Sequence, residues 1–135
     1  MLKRKVYQEL LKWKENTEGK ALCIIGARQI GKTTLIREFG KNEYEHFAEI
    51  NFVTDEKAAD IFNDKLTAEA IITNLTAYLQ TPLEPGKTLI LFDEVQECPA
   101  VRSAIKFLVE DGRFDYIESG SLLGVRYKEV RSYPV

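Results

Sequence analysis

The chain has 135 residues, of which 44% are hydrophobic and 30% are charged, a balance typical of one soluble globular domain and too apolar for a disordered segment. Its formal charge of −2 excludes a global positive charge that would drive nonspecific binding to nucleic acid, so such a role would need a local basic patch. The apolar stretch at residues 21–27 is far too short to cross a bilayer, and the basic N-terminus leads into no apolar core. We therefore expect no membrane span and no secretory signal, and a cytoplasmic location is the default.

The first predicted element is an amphipathic helix over residues 2–15. Four apolar side chains recur at helical spacing with lysines between them: Leu2, Val6, Leu10 and Trp13. Two interpretations stay open. The helix either packs its apolar face on the core and leaves the lysines in solvent, or it presents those lysines to nucleic acid or to a protein partner.

Strands and helices alternate along the rest of the chain. Short apolar runs predict strands at residues 21–25, 47–53, 88–92 and 114–117. Helical spacing predicts helices at residues 32–39, 55–62, 67–79 and 99–111, with Gly40 expected to end the first of these. This alternation implies right-handed crossovers and a three-layer α/β/α fold with a mainly parallel sheet.

Residues 26–33, Gly-Ala-Arg-Gln-Ile-Gly-Lys-Thr, match the phosphate-binding pattern G-x-x-x-x-G-K-[ST] in full. The pattern follows an apolar strand and opens a helix, where free N–H groups and the helix dipole attract anions. Lys32 is expected to contact the outer phosphates, and the Thr33 hydroxyl to bind Mg²⁺. Arg28 either helps to hold phosphate or only fixes the shape of the loop. The expected nucleotide-binding residues are Gly26, Ala27, Arg28, Gln29, Ile30, Gly31, Lys32, Thr33 and Thr34.

The acidic pair Asp93-Glu94 closes the third predicted strand. A carboxylate at that place can reach the same Mg²⁺, usually through water, so Asp93 is the second predicted metal ligand. Glu94 can orient or deprotonate an attacking water, which favours hydrolysis over transfer to a bound acceptor. The alternative is an acidic pair that is merely solvated at a strand end.

Ser119 and Ser121 lie in the segment that closes the fourth predicted strand, at the sheet edge where open α/β folds place their ligands. A hydroxyl there could hold the attacking water, so both serines join Lys32 and Glu94 as candidate catalytic residues. An ordinary polar turn is the alternative. We expect surface or packing roles for His46, and buried or free thiols at Cys23 and Cys98.

Three segments together resemble one family: GARQIGKTTLIREF at 26–39, ILFDEVQ at 90–96 and IESGSLL at 117–123. They are similar to the AAA+ ATPases of bacteria and archaea that carry an uncharacterised C-terminal region. The resemblance covers roughly residues 1–127 and is more specific than the phosphate pattern alone. It implies a sheet of order 5-1-4-3-2. By that resemblance Lys32 and Thr33 belong to Walker A, Asp93 and Glu94 to Walker B, and Ser119 or Ser121 to the sensor position.

In that family the ATPase core continues into a fifth strand, a helical lid and a further region, whereas this chain stops at Val135. We therefore expect residues 1–135 to form one truncated AAA-type ATP-binding domain in which the fifth strand is missing. The first strand would then have a free edge, which predicts self-association by dimerisation or aggregation. Hydrolysis by such a fragment would be weak or absent.

Together these patterns predict a P-loop protein of AAA+ type that binds ATP and, in its intact form, hydrolyses ATP with Mg²⁺. Two alternatives stay open: a nucleotide-dependent binding module without turnover, and a small-molecule kinase, which would need an acceptor pocket. ATP is favoured over GTP because the guanine-specifying pattern N-K-x-D is absent from the sequence. The sequence does not name a protein client, and its charge does not indicate a nucleic-acid partner.

Overall fold

The computed structural model describes residues 2–17, 20–26, 31–121 and 131–134. Its centre is a five-stranded sheet of order β2-β3-β4-β1-β5. Strands β1 to β4 pair in parallel, and β5 runs antiparallel to β1. The predicted mainly parallel sheet of order 5-1-4-3-2 is therefore confirmed. The strands are β1 (Lys20–Gly26), β2 (His46–Asn51), β3 (Thr88–Asp93), β4 (Asp115–Ser121) and β5 (Arg131–Pro134).

Helices connect the parallel strands. The α-helices are α1 (Leu2–Glu15), α2 (Lys32–Glu43), α3 (Ala68–Leu79) and α4 (Pro99–Asp111), and two 3₁₀ helices cover Glu56–Phe62 and Val95–Glu97. Helix α1 covers the residues predicted for it, and the helix predicted at residues 55–62 forms as a 3₁₀ helix. Among the helices that the structure describes, none combines the length and apolar character needed to cross a membrane.

The sheet has a hydrophobic core on each face. On one face, strand side chains such as Phe92 and Tyr116 pack with α3 and α4. On the other face, Leu91 and Ile117 pack with α1 and α2. Successive side chains of a strand point to opposite faces, and every residue of β3 is buried, so this strand is covered on both sides. The three-layer α/β/α arrangement predicted from the sequence is confirmed.

Helix α1 packs its apolar face on the second of these cores. Leu10 is 1% exposed and Trp13 7% exposed, and the Trp13 ring lies 6.4 Å from the ring of Phe39 in α2. The lysine of α1 at position 12 is exposed to solvent. The packing interpretation of this helix is therefore confirmed, and contact of its basic residues with a partner stays a prediction.

The prediction that the fifth strand is missing is wrong. Residues Arg131–Pro134 form β5, which pairs with β1 from Lys20 opposite Pro134 to Cys23 opposite Arg131. Strand β1 therefore has a neighbour on each side, and the free edge on which we based self-association is covered. This short polar segment escaped prediction because an antiparallel edge strand does not require the apolar run of a buried parallel strand.

Gly40 does not end α2, which continues to Glu43. A Cβ atom built on Gly40 would lie 2.2 Å from Cδ1 of Phe47. The absence of a side chain thus lets the helix approach the aromatic ring of β2. Glycine here serves close packing of helix on strand rather than termination of the helix.

Candidate functional site

The predicted phosphate loop joins a buried strand to the start of a helix. Strand β1 ends at Gly26 and α2 begins at Lys32. Gly31, immediately before the helix, has φ 98°, in the left-handed region that favours glycine. Thr34 is exposed on the first turn of α2. The flanks thus have the strand–turn–helix context of a phosphate loop. The predicted contacts of four loop residues lie outside the described residues: Ala27, Arg28, Gln29 and Ile30.

Asp93 accepts hydrogen bonds from two hydroxyl groups at the carboxyl end of the sheet. The Thr33 hydroxyl donates to Asp93 Oδ2 at 3.4 Å, and the Ser119 hydroxyl donates to Asp93 Oδ1 at 2.6 Å. Parallel pairing of β3 and β4 places Asp93 beside Ser119, while the first turn of α2 brings Thr33 to them. The two predicted metal ligands, from separate sequence motifs, therefore lie in contact.

The Asp93 carboxylate lies in a poorly solvated environment, with 5% of the residue exposed. Burial raises the pKa of Asp93 above its usual range, the hydrogen bond from Ser119 lowers it, and the negative charge of Glu94 raises it again. The net shift is upward, because loss of water disfavours the charged form. A cation bound beside Asp93 would offset the free-energy cost of ionising this buried carboxylate.

We expect Asp93→Asn to raise the melting temperature of the nucleotide-free protein at pH 7. Asparagine keeps an oxygen that can accept from Ser119 and removes the buried charge; a gain on the order of 1 kcal/mol corresponds to about 4 °C in a domain of this size. Because the folded pKa of Asp93 is raised, its ionisation lowers stability as the pH rises through that pKa. The difference in melting temperature between the variant and wild type should therefore become smaller in thermal unfolding curves recorded toward pH 4.

Asp111→Asn is the matched control for this stability measurement, and the opposite sign is expected. A hydrogen bond from Arg113 lowers the pKa of Asp111, so its charged form stabilises the fold above the unfolded pKa, and that stability is lost as the pH falls. This variant should melt at a lower temperature than wild type at pH 7. A lower melting temperature for both variants at pH 7 would contradict the claim that the buried charge of Asp93 destabilises the nucleotide-free protein.

Lys32 reaches the same edge of the sheet from the start of α2. Its ammonium group donates to the backbone carbonyl of Gly120 at 2.9 Å. Gly120 follows Ser119 in β4, so the ammonium lies beside the strand that carries the Asp93 partner. An ammonium group at a helix N-terminus is suited to bind phosphate oxygen atoms.

Glu94 has a backbone conformation that is rare for a residue with a side chain. Its φ and ψ are 59° and 46°, in the left-handed region. The backbone N–H of Glu94 donates to Asp93 Oδ1 at 2.9 Å, and its Oε1 accepts from the side-chain amide of Gln96 at 2.7 Å. Asp93 is buried, so the interpretation of a merely solvated acidic pair is wrong for this residue, whereas Glu94 is half-buried and its catalytic role stays a prediction. Left-handed backbone at such residues is often found at functional sites.

Ser119 lies within a strand rather than in a polar turn. Strand β4 extends to Ser121, four residues beyond its predicted end at Ile117, and Ser119 is fully buried. The alternative of an ordinary turn is therefore wrong at this residue. The backbone of Ser121 pairs with Gly26 at the start of the phosphate loop, while the side chain of Ser121 lies outside the description, so its catalytic role stays a prediction.

Two polar groups near the site were not predicted from the sequence. Gln96 contacts Glu94, as described above, and Glu118 lies fully buried in β4 and accepts from Arg102 Nη1 at 3.2 Å and 3.3 Å. The sequence offered a weak signal for Glu118, since an acidic residue inside a strand needs a partner. His46 lies at the opposite end of β2 from the site, beside Glu84. Cys23 and Cys98 are buried thiols that form no disulfide with each other.

Comparison with known families gives a match over most of the chain. The family model described as an AAA domain matches residues 18–135, a range that contains all five strands and every candidate residue named above. None of the curated proteins compared with the chain matches it.

Proposed function

The chain belongs to the AAA domain family, and we propose on that premise that it binds ATP together with Mg²⁺ and hydrolyses the bound ATP. Family membership indicates a nucleotide-binding P-loop domain; the adenine base, the metal and the hydrolysis are our proposal. The observation that carries it is the 3.4 Å contact between the Thr33 hydroxyl and the Asp93 carboxylate. This contact joins the predicted metal ligands of two separate motifs.

The groups at this contact suit a magnesium ion. Mg²⁺ takes oxygen ligands, keeps several waters, and is usually bound by one or two protein groups together with substrate phosphates. Thr33 and Asp93 offer a hydroxyl and a carboxylate oxygen, and among the described residues the groups that donate hydrogen bonds to Asp93 are all uncharged. Bound magnesium would supply positive charge that neutralises the phosphate oxygens.

The protein's own groups have separate tasks in the proposed reaction. Lys32 would exchange the Gly120 carbonyl for the outer phosphates and hold their charge. Ser119 keeps the Asp93 carboxylate in one orientation through its hydrogen bond. Glu94, next in the chain, would orient or deprotonate the attacking water. Positioning and electrostatics of this kind provide most of the catalysis of phosphoryl transfer.

The test measures how binding of a non-hydrolysable ATP analogue depends on Mg²⁺. Calorimetric titrations of wild type should show tight binding with Mg²⁺ and weaker binding with EDTA. Asp93→Asn should bind about 10-fold more weakly in Mg²⁺, because loss of a water-mediated metal contact typically costs 10- to 100-fold in metal affinity. With EDTA the variant and wild type should bind alike.

Asp111→Asn is the control for this titration, since it removes a carboxylate at the C-terminal end of α4. It should bind the analogue like wild type, with the same dependence on Mg²⁺. Wild-type binding that does not change between Mg²⁺ and EDTA would contradict the metal site. Tighter binding of a GTP analogue than of the ATP analogue would contradict the choice of adenine.

A further inference from the structure

We propose that Gln96 is a positioning residue that fixes the orientation of the Glu94 carboxylate, and that Gly120 provides the space that Gln96 needs. The inference rests on the proposed hydrolysis, because it assumes that Glu94 orients or deprotonates the attacking water. It adds two residues to the reaction that neither the phosphate pattern nor the acidic pair singles out.

The local backbone brings Gln96 back to Glu94. The 3₁₀ helix Val95–Glu97 begins directly after the left-handed Glu94, and the backbone N–H of Glu97 donates to the Glu94 carbonyl at 3.1 Å. Side chains two positions apart do not face each other in a regular helix. The turn at Glu94 makes their contact possible, and Gln96 Nε2 donates to Glu94 Oε1 at 2.7 Å.

Gly120 makes room for the other end of the same amide. A Cβ atom built on Gly120 would lie 2.4 Å from Gln96 Oε1, closer than such atoms approach in proteins. The next nearest atoms to this Cβ, both of Val95, would lie at 3.4 Å and 3.5 Å, which is ordinary van der Waals contact. The side-chain amide of Gln96 therefore occupies the space that any side chain at position 120 would take.

Gly120 also connects this contact to the phosphate-binding lysine. Its backbone carbonyl accepts from Lys32 Nζ at 2.9 Å, while the position that a Cβ would occupy lies against the amide oxygen of Gln96. One strand residue thus lies between the group that would hold phosphate and the group that holds Glu94. A carboxylate with one fixed orientation positions water far better than one that rotates freely, since a displacement of about 1 Å can cost 100-fold in rate.

The test compares turnover in wild type, Gln96→Glu and Gly120→Ala. Gln96→Glu keeps the size of the side chain but replaces the donor with an acceptor of like charge, and Gly120→Ala pushes the amide away while retaining it. Each variant should lower kcat by about 10- to 100-fold, with KM for ATP unchanged. Unchanged kcat in both variants, or a rise in KM alone, would overturn the proposal.

A double substitution and a neighbouring control sharpen this test. Gln96→Ala combined with Gly120→Ala should lower kcat no further than Gln96→Ala alone, because both changes remove one contact. Additive losses would mean that Gly120 acts in another way. Glu97→Ala alters an exposed side chain of the same 3₁₀ helix and should leave kcat unchanged.

Crystal structures of wild type and Gln96→Glu separate this proposal from the proposed hydrolysis. If wild type shows no turnover, hydrolysis fails as the function, and the orientation of the Glu94 carboxylate still decides the role of Gln96. The carboxylate should turn away from its wild-type position in the variant. An unchanged Glu94 side chain in the variant would overturn the positioning role, whatever the turnover.

Discussion

Replacement of Glu94 by glutamine should lower the rate of ATP hydrolysis by about 1,000-fold and leave affinity for the ATP analogue within about twofold. General-base catalysis typically contributes 10²- to 10⁴-fold, and the amide of glutamine cannot accept a proton from water. Glutamine retains the size of the side chain and an oxygen that can accept from Gln96 Nε2. The measurements are phosphate release in a single turnover and calorimetric binding of the analogue with Mg²⁺.

Glu97→Gln provides the matched control for the Glu94 prediction. It makes the same chemical change on an exposed side chain of the adjoining 3₁₀ helix, so turnover should remain at the wild-type level. Absence of turnover in both wild type and Glu94→Gln, with binding retained, would support a nucleotide-dependent binding module instead. Labelled phosphate on an acceptor molecule, rather than free in solution, would support a kinase.

Removal of the Lys32 ammonium should weaken binding of the ATP analogue by at least about 100-fold. Charge-assisted hydrogen bonds to phosphate are among the strongest polar contacts, and a 100-fold loss corresponds to about 2.8 kcal/mol. In the structure this ammonium belongs to the first residue of α2 and donates to the backbone carbonyl of Gly120. Gly120 lies in β4, the strand next to β3, which ends at Asp93. Calorimetry on Lys32→Ala in the presence of Mg²⁺ measures the effect.

Lys41→Ala makes the same change of charge near the far end of the same helix, where the side chain is exposed. It should bind the analogue like wild type, which separates local contact with phosphate from the general effect of net charge. Retained tight binding in Lys32→Ala would show that the nucleotide is held elsewhere. If wild type itself does not bind, this chain lacks a competent site.

Much of the fold could be predicted because buried parallel strands have a distinctive composition. The run Thr88–Asp93 is apolar between its first and last residues and proved to be buried along its whole length. The contact of Thr33 with Asp93 was also anticipated in outline, since parallel strands place their carboxyl ends at one edge of the sheet. Strand β5 was missed because four residues of mixed polarity carry no such pattern.

The arrangement around Glu94 could not be predicted from residue types. A left-handed backbone at a glutamate depends on the surrounding tertiary structure, and the contact with Gln96 exists only because of that turn. Gly120 and Gly40 could not be interpreted from the sequence for the same reason, since each is approached by a side chain of another element. A glycine in a sequence is compatible with a turn, a helix end or close packing. Only the group that packs against it in the folded structure distinguishes these roles.

The order of the strands has a consequence for how the protein is made. Strand β1 is synthesised long before both of its neighbours, because Leu22 lies beside Ile117 of β4 and Ser132 of β5. Contacts so distant in sequence form slowly, and β1 stays unpaired until β4 and β5 have been synthesised. The phosphate loop, which leads out of β1, should therefore take shape among the last parts of the nascent domain. During that interval the unpaired apolar strand β1 exposes a surface that favours aggregation, which chaperones suppress.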